Sequence, residues 1–388
     1  MPLDLPSNRT EGWRWSDLSA LPALAEAAPS GKVPDALPWI DCDKGVRLLF
    51  VDGALRSGDV EFAPLNIETR HPLGGLAGKS GWSLRLGRDQ AAPGLVQIVH
   101  VSTGAADHLA AEMVLDADAQ CSVVETFVGQ GWANRLTAIR LGKSARLMLS
   151  RRLLGESGFV SLTDQAELGA GASLTTTMLA AGGADTRLDG EILLTGEEAY
   201  AEAGGALLAR GRQRHDANLV IRHAVPNGVS RQVWRSVADD RSACSVAARV
   251  EVARGAQKTD AEQSLKGLLL ARSAVINAKP ELEIFADDVK CAHGATVGEL
   301  DRGALFYLES RGVEPAEAKS LLTRAFVADA LDRIGEEEVR ATFYADAEEW
   351  FGGAKPLPFR GGVGVGPVTQ HGVSSTSPTP VSSPEGEG

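Results

Sequence analysis

The chain is poor in cysteine: four among 388 residues, at positions 42, 121, 244 and 291, with no paired spacing. That excludes a self-contained zinc or cluster cage and a disulfide scaffold, and it fits free thiols in a reducing compartment. Long apolar runs are missing as well. Stretches such as Leu48 to Val51 and Leu268 to Ala271 fall far below the roughly 18 residues that a membrane span requires. From Met1 to Trp15 the chain carries polar and charged side chains and no apolar h-region, so no secretory signal and a cytoplasmic location are expected. Positive charge is in deficit, with 39 Lys and Arg against 51 Asp and Glu and a net charge of -12. A nucleic-acid backbone is therefore an unfavourable partner. Aromatic residues make up only 5%, which suits a narrow interior filled by small and aliphatic side chains.

What is present is a globular composition, 44% hydrophobic, in a chain long enough to bury roughly three quarters of its unfolded surface. Residues 1–45 hold Pro2, Pro6, Pro22, Pro29, Pro34 and Pro38 and read as an irregular N-terminal segment with a helical stretch around 16–28. From Val46 the pattern changes to short apolar runs broken by glycine. Val46 to Asp52 followed by Gly53 predicts a strand and a turn.

A phrase then repeats. Leu115-Asp116-Ala117-Asp118-Ala119, Leu141-Gly142-Lys143-Ser144-Ala145 and Leu168-Gly169-Ala170-Gly171-Ala172 share an aliphatic residue, a turn and a closing alanine, at intervals of 26 and 27 residues. A looser copy follows at Leu194 to Ala199, and later ones at Val252 to Ala256 and Leu270 to Ala274, these two only 18 apart. Between the copies the residues alternate, as in Val246, Ala248, Val250 and Val252, which places one aliphatic row on one strand face. Alternating strands and tight turns recurring at this interval predict a mainly β fold, a β-solenoid core over 46–298 whose coils bury their apolar faces by stacking. A β-sandwich is the competing architecture, although it has no reason to repeat its turn phrase.

After Gly298 helical signals take over in a C-terminal helical domain, 299–351. Asp301 is placed to cap a helix over 301–310, Gly312 follows it, and Pro315 suits the first turn of a helix over 315–334. In the latter, Ala318, Leu321, Leu322 and Ala325 fall on one side and Val327, Leu331 and Ile334 roughly opposite. Such a helix is either sandwiched in its own domain or offers a face to a partner. A third helix is expected over about 336–350. From Gly352 to 388, Gly, Pro and Ser dominate, and a disordered tail is expected.

Several motifs are misleading. Gly74-Gly75-Leu76-Ala77-Gly78-Lys79-Ser80 resembles a phosphate loop, but three residues separate its outer glycine from Gly-Lys-Ser where the loop needs four. Leu48 to Asp52 mimics a strand with a magnesium-binding Asp, on the wrong side of that loop. No Gly-x-Ser-x-Gly elbow is present. His100, His108, His215 and His223 lack metal-ligand spacing and read as structural, as do Cys121 and Cys244. One segment differs: if 287–293 is extended, Asp287, Cys291 and His293 share a face, a donor set suited to iron or zinc. Two soft or borderline ligands make half a site, which implies that a second chain completes it. Taken alone, the segment reads more readily as a core cysteine and a hydrogen-bonded loop histidine than as a metal site.

Gly255 to Gln263, Lys279-Pro280-Glu281-Leu282-Glu283-Ile284, Ala286 to Gly298 with its Cys291-Ala292-His293-Gly294-Ala295-Thr296 string, and Phe306-Tyr307-Leu308-Glu309-Ser310-Arg311-Gly312 resemble the C-terminal signature of the SufD family. This family supplies a subunit of the SUF iron–sulfur cluster assembly scaffold. Arg9 to Trp15 resembles its opening, and in the sister SufB family the Cys-x-His string reads differently. Residues 243–248 lack the Gly-Phe pattern of the family, and the segment beyond Gly352 has no counterpart in it. The resemblance implies a right-handed parallel β-helix flanked by helical segments. It implies pairing through that β-helix with SufB, and binding of the SufC ATPase through the C-terminal helices, with Leu321, Leu322 and Phe326 as contacts. It also implies a non-enzymatic scaffold role in which His293 with Cys291 contributes to an iron or nascent-cluster site shared with SufB. No stably bound cofactor is expected in the isolated chain. The alternatives are a SufB-like protein that nucleates the cluster itself, or a β-helix carbohydrate-active enzyme, for which no constellation of carboxylates is readable.

Overall fold

The computed structural model describes residues 3–77 and 80–352. Seventeen strands dominate: β1 (Gly45–Val51), β2 (Ala54–Ser57), β3 (Glu61–Pro64), β4 (Ser80–Leu86), β5 (Leu95–Leu115), β6 (Gln120–Leu141), β7 (Arg146–Leu153), β8 (Ser157–Leu168), β9 (Ser173–Ala180), β10 (Asp185–Leu194), β11 (Tyr200–Ala209), β12 (Arg214–His223), β13 (Val229–Ala238), β14 (Ala243–Val252), β15 (Asp260–Leu269), β16 (Val275–Ile284) and β17 (Lys290–Glu299). They form a parallel β-solenoid. One parallel ladder runs β1, β5, β6, β7, β9, β11, β13, β15, β17. The other runs β4, β5, β6, β8, β10, β12, β14, β16. The long strands β5 and β6 serve both, bending between their halves at Gly104, Gly129 and Gly131, all at positive φ. Stacked neighbours lie 26 residues apart at Glu125 and Arg151, 29 apart at Thr186 and His215, and 32 apart at Ser245 and Asn277. The coil thus lengthens along the chain.

The repeated phrase is one of two corners. In the first four copies a residue in the left-handed region precedes a buried small one: Asp118, Ser144, Gly171 and Glu198, at φ of 63°, 56°, 64° and 61°, lead into Ala119, Ala145, Ala172 and Ala199, all 0% exposed; at Val252 to Ala256 that residue comes later, at Lys258, before the buried Thr259. The N–H groups of Asp118, Ser144 and Gly171 donate to carbonyls of the next coil, Lys143, Ala170 and Glu197, each at 2.8 Å. This inter-coil bond offsets the strain of a non-glycine residue there. Leu270 to Ala274 joins β15 to β16 and so belongs to the opposite corner, the one formed by residues 239–242 between β13 and β14. That is why its spacing of 18 does not fit the period. Residues 224–228, with Asn227 at φ 62°, form a further copy of the first corner, which its His-Ala-Val-Pro-Asn-Gly sequence conceals.

Alternate residues face the lumen, as Leu147, Leu174, Ala201, Ser230, Ala261 and Cys291 do down one register column. Most are aliphatic, but the early coils also hold buried ions, Asp107 with Arg135 and a triad around Arg151. Arg151 Nε donates to Glu125 at 2.6 Å, and its Nη2 donates to Asp164 across the lumen at 3.0 Å; all three groups are largely buried. Burial alone would raise the Glu125 carboxyl; Arg151 overrides it and holds the group down at about 2.

The outer faces are sheathed. The 3-10 turn Glu11–Trp13 and the short helix α1 (Leu21–Glu26) are all the helix in residues 16–28 and their surroundings, because Pro22 and Pro29 confine it. Trp13, Leu18, Leu21 and Leu73 pack on Trp132 and Phe159. On the other ladder, α3 (Pro315–Leu331) and α4 (Glu337–Trp350) bury Val327, Leu331, Phe343 and Ala347 against outward apolar residues of the strands, including Leu179, Leu208, Val237 and Leu268. Ile334 lies beyond the end of α3. The helix α2 (Arg302–Ser310) is capped by Asp301, whose carboxylate accepts from Gly303 and Ala304 N–H. The tail expected beyond Gly352 lies outside the described residues, as do Gly78 and Lys79. Among the described residues no helix is long and apolar enough to cross a membrane.

His215 and His223 stand in the lumen at 1% exposure each. The His215 ring meets Thr186 Oγ1 at 3.0 Å and the Leu208 carbonyl at 3.1 Å, and the His223 ring meets Ser230 Oγ at 2.8 Å. Burial drives both imidazoles from 6.5 down to about 4. Between those values the unfolded chain binds more protons than the fold, so the stability they contribute is complete above about 6.5 and is lost as pH falls toward 4. The unfolding free energy from urea titration should therefore drop between about pH 7.5 and about pH 5, by roughly 2 kcal/mol per histidine, and the midpoint with it. Replacing both with glutamine should flatten the slope; an unchanged wild-type midpoint contradicts the assignment.

Candidate functional site

The last coil ends without a cover. Among the described residues β17 pairs only with β15 and β16 only with β14, so one backbone edge of each strand is left open. Their side chains are exposed or half-buried, and apolar residues are among the exposed: Val297 at 43%, Ile284 at 39% and Phe285 at 66%. Ile284 and Phe285 are neighbours in sequence and Val297 stands apart.

Register places the sequence-derived donors. Cys291 pairs with Ala261 and His293 with Gln263; both β15 residues are buried and lumen-facing, so Cys291 and His293 sit on the lumen side of the open rim. Cys291 packs against a small cluster that includes Val250, Val252 and Ala286. Burial pushes its thiol up, a backbone hydrogen bond at Ala261 pulls it down, and the Asp260 charge adds to the rise. Loading this sulfur with a metal ion releases its proton. Asp287 does not join them. It lies in the turn between β16 and β17, because the strand begins only at Lys290, and the face-sharing expected of an extended 287–293 holds for Cys291 and His293 alone. No group of three or more His, Cys, Asp or Glu side chains able to hold a metal ion occurs among the described residues. Two donors are at most half of a tetrahedral coordination shell.

The C-terminal helices are pinned to the solenoid by charge. Arg152 holds Asp346 of α4 through two bonds of 2.6 and 2.8 Å, and Arg235 of β13 reaches Asp329 of α3 at 3.0 Å. All three expected contact residues, Leu321, Leu322 and Phe326, are half-buried, and Phe326 also packs against the apolar cluster beneath the helices. Ala318 is buried and Ala325 exposed, so the apolar side drawn from the sequence is split in the fold. Phe306 and Tyr307 of α2, at 72% and 57% exposure, are the large apolar side chains that this region does offer; they were quoted in the sequence only as part of a signature.

The misleading motifs have structural uses. The N–H groups of Gly75, Leu76 and Ala77 bond to His71, Leu73 and Gly74 carbonyls, so they are not free to wrap a phosphate. Asp52, at the turn after β1, accepts from Thr103 N–H and Oγ1, both at 2.7 Å. An imidazole with carboxylate and hydroxyl neighbours exists at His71, whose Nε2 meets Asp189 at 3.0 Å and whose Nδ1 meets Thr163 Oγ1 at 3.0 Å. Nδ1 also accepts from Gly74 N–H at 3.0 Å, so its lone pair is committed and Thr163 has no general base. Cys121 and Cys244 are lumen residues. Burial, then Glu336, pushes the Cys121 thiol up to about 12, and burial pushes Cys244 up as well. Iodoacetamide should therefore modify Cys291 in the native chain and spare Cys121 and Cys244 until it unfolds. Peptide mass spectrometry reads the outcome, and label on either lumen thiol before unfolding contradicts their placement.

Comparison with known proteins adds family evidence. Residues 99–326 match the family model described as SUF system FeS cluster assembly, SufBD core domain. The chain is similar to the iron–sulfur cluster assembly protein SufD of Escherichia coli, 27% identical over 370 residues, 87% of each chain. It is similar to the SufD protein of Bacillus subtilis, 30% identical over 156 residues, 40% of this chain and 36% of that one. A SufBD family protein of Synechocystis is 40% identical over 124 residues, 32% of this chain and 27% of that one.

Proposed function

The chain belongs to the SufBD core family of SUF iron–sulfur cluster assembly proteins, and from that membership we propose that it is a non-catalytic scaffold subunit whose open solenoid end pairs with SufB. The observation that carries this reading is the uncovered last coil. An exposed strand edge with apolar side chains beside it is a surface that a second β-chain completes, and this one holds two metal-binding side chains on its inner rim. Iron or the nascent cluster is the cargo. His293 offers a neutral imidazole lone pair and Cys291 a thiolate, and the partner supplies the remaining ligands. The α2–α3 surface, with Leu321 and Leu322, is the proposed seat of the SufC ATPase. In this chain's own phosphate-loop mimic the donors of residues 74–77 are spent, and ATP hydrolysis is assigned to that partner. Approach of two SufC subunits, transmitted through helices that Arg152 and Arg235 tie to the strands, would then shift the SufB-facing rim and open the site.

Coexpression of this chain, carrying a tag, with SufB and SufC from the same source tests the reading. Both partners should copurify, with iron and sulfide present; recovery of this chain alone, where the other two pair normally, overturns it. His293→Ala should leave the complex assembled and lower its cluster content, and an unchanged yield counts against the site. Leu322→Asp, which sets an unpaired charge in an apolar contact, should weaken SufC capture and leave SufB in place; undiminished SufC recovery discards that surface.

A further inference from the structure

Beneath His293 the lumen holds a column of polar side chains that the solenoid does not satisfy. Gln263 of β15 is 1% exposed, yet neither its Nε2 nor its Oε1 has a hydrogen-bond partner. One coil inward its register partner is Gln232, fully buried, whose Nε2 donates to the Arg249 carbonyl at 3.1 Å and whose Oε1 is unpartnered. One coil outward the register partner is His293. Buried amides with neither end paired are rare in native interiors. The polar group next to this one, on the same face and one inter-strand spacing of roughly 4.8 Å away, is the imidazole.

We propose that Gln263 is the positioning residue of the His293 site. Its amide oxygen, unpartnered in this structure, is free to accept the N–H of the His293 ring nitrogen turned toward the lumen, and that bond would fix the tautomer in which the other nitrogen presents its lone pair out of the open end. An imidazole binds metal through a lone pair while an acceptor anchors the opposite N–H, and such outer partners set ring orientation. An amide does this without charge, so it anchors a neutral ring. Gln232, itself tied to the backbone of the facing ladder, stands behind Gln263 and limits how far its side chain withdraws. The purpose of the contact rests on the reading of His293 as a cargo ligand; the contact itself does not.

The test separates the two. In the full-length chain with 15N-labelled histidine, two-bond correlation spectra above about pH 8 report which ring nitrogen carries the proton, and the His293 signal is identified by its loss in His293→Gln. The native chain should show one dominant tautomer for His293. Gln263→Leu should collapse it toward the mixture of a free imidazole, and Gln263→Glu, which keeps an acceptor oxygen, should retain it. Gln263→Met, unbranched and of similar length, gives the same readout as leucine should the branched side chain disturb the lumen. In the tagged complex, Gln263→Leu should weaken iron retention about tenfold without changing the subunit composition. The same tautomer mixture in native and Gln263→Leu chains overturns the positioning role whatever the iron does. A tautomer that responds to Gln263, with iron retention indifferent to both Gln263 and His293, leaves the contact standing and overturns the cargo reading.

Discussion

The in-register parallel ladder between coils is the constraint on which the rest of the molecule depends. Each strand's backbone groups are satisfied by strands one coil away, so the register that pairs Glu125 with Arg151 also decides which side chains enter the lumen. A slip of one residue turns a whole coil inside out. The ionic layer sharpens that choice. A buried ion pair adds little net stability over an apolar core, but a buried charge without its partner is penalised heavily, and Glu125, Arg151 and Asp164 meet only in the native register. The aliphatic columns tolerate small errors of stacking, and this layer does not.

The ladder also has to end, and its two ends differ. At the start, β1 turns back antiparallel into β2, β3 runs antiparallel beside β4, and the N-terminal segment lies over the first coils. At the finish, β16 and β17 carry side chains left exposed or half-buried by the described residues. The helices that follow do not cap this end; they turn back along the outer face of β11 and β13, held by Arg152 and Arg235. Stability and availability are thereby separated. The middle coils hold the fold, and the final coil carries the donors.

The solenoid was legible because its corner is written in local chemistry. A residue that tolerates the left-handed region followed by alanine recurs wherever the chain must turn tightly under its neighbour. The copy after His223 escaped notice because its anchor is a histidine and its turn uses Pro226, Asn227 and Gly228, a different solution to the same geometry. Leu270 to Ala274 imitated the phrase at the other corner, which a one-dimensional alignment does not separate. Strand alternation found Cys291 and His293 but carried Asp287 with them, since the start of β17 is set by pairing with β15 and not by propensity. Ala318 and Ala325 were read as one side of a helix that the fold splits, because helical periodicity shows faces without showing what covers them. Gln263 and Gln232 gave no signal at all. A glutamine in a strand ordinarily faces water, and only their register with His293 reveals that these two face inward.

The ionic layer carries a further implication for how this architecture can change over time. Solenoids lengthen by copying a coil, and most of this lumen would accept a copy, because Ala, Leu and Val columns find equivalent neighbours after an insertion. Between β6 and β7 that freedom ends. An extra coil there would separate Glu125 from Arg151 by a full layer and leave each with only its remaining partner, His100 or Asp164. The distance from the N-terminal segment to the charged layer is therefore a conserved length in the mechanical sense, a fixed foundation course, and variation in the height of the tower belongs to the coils above it.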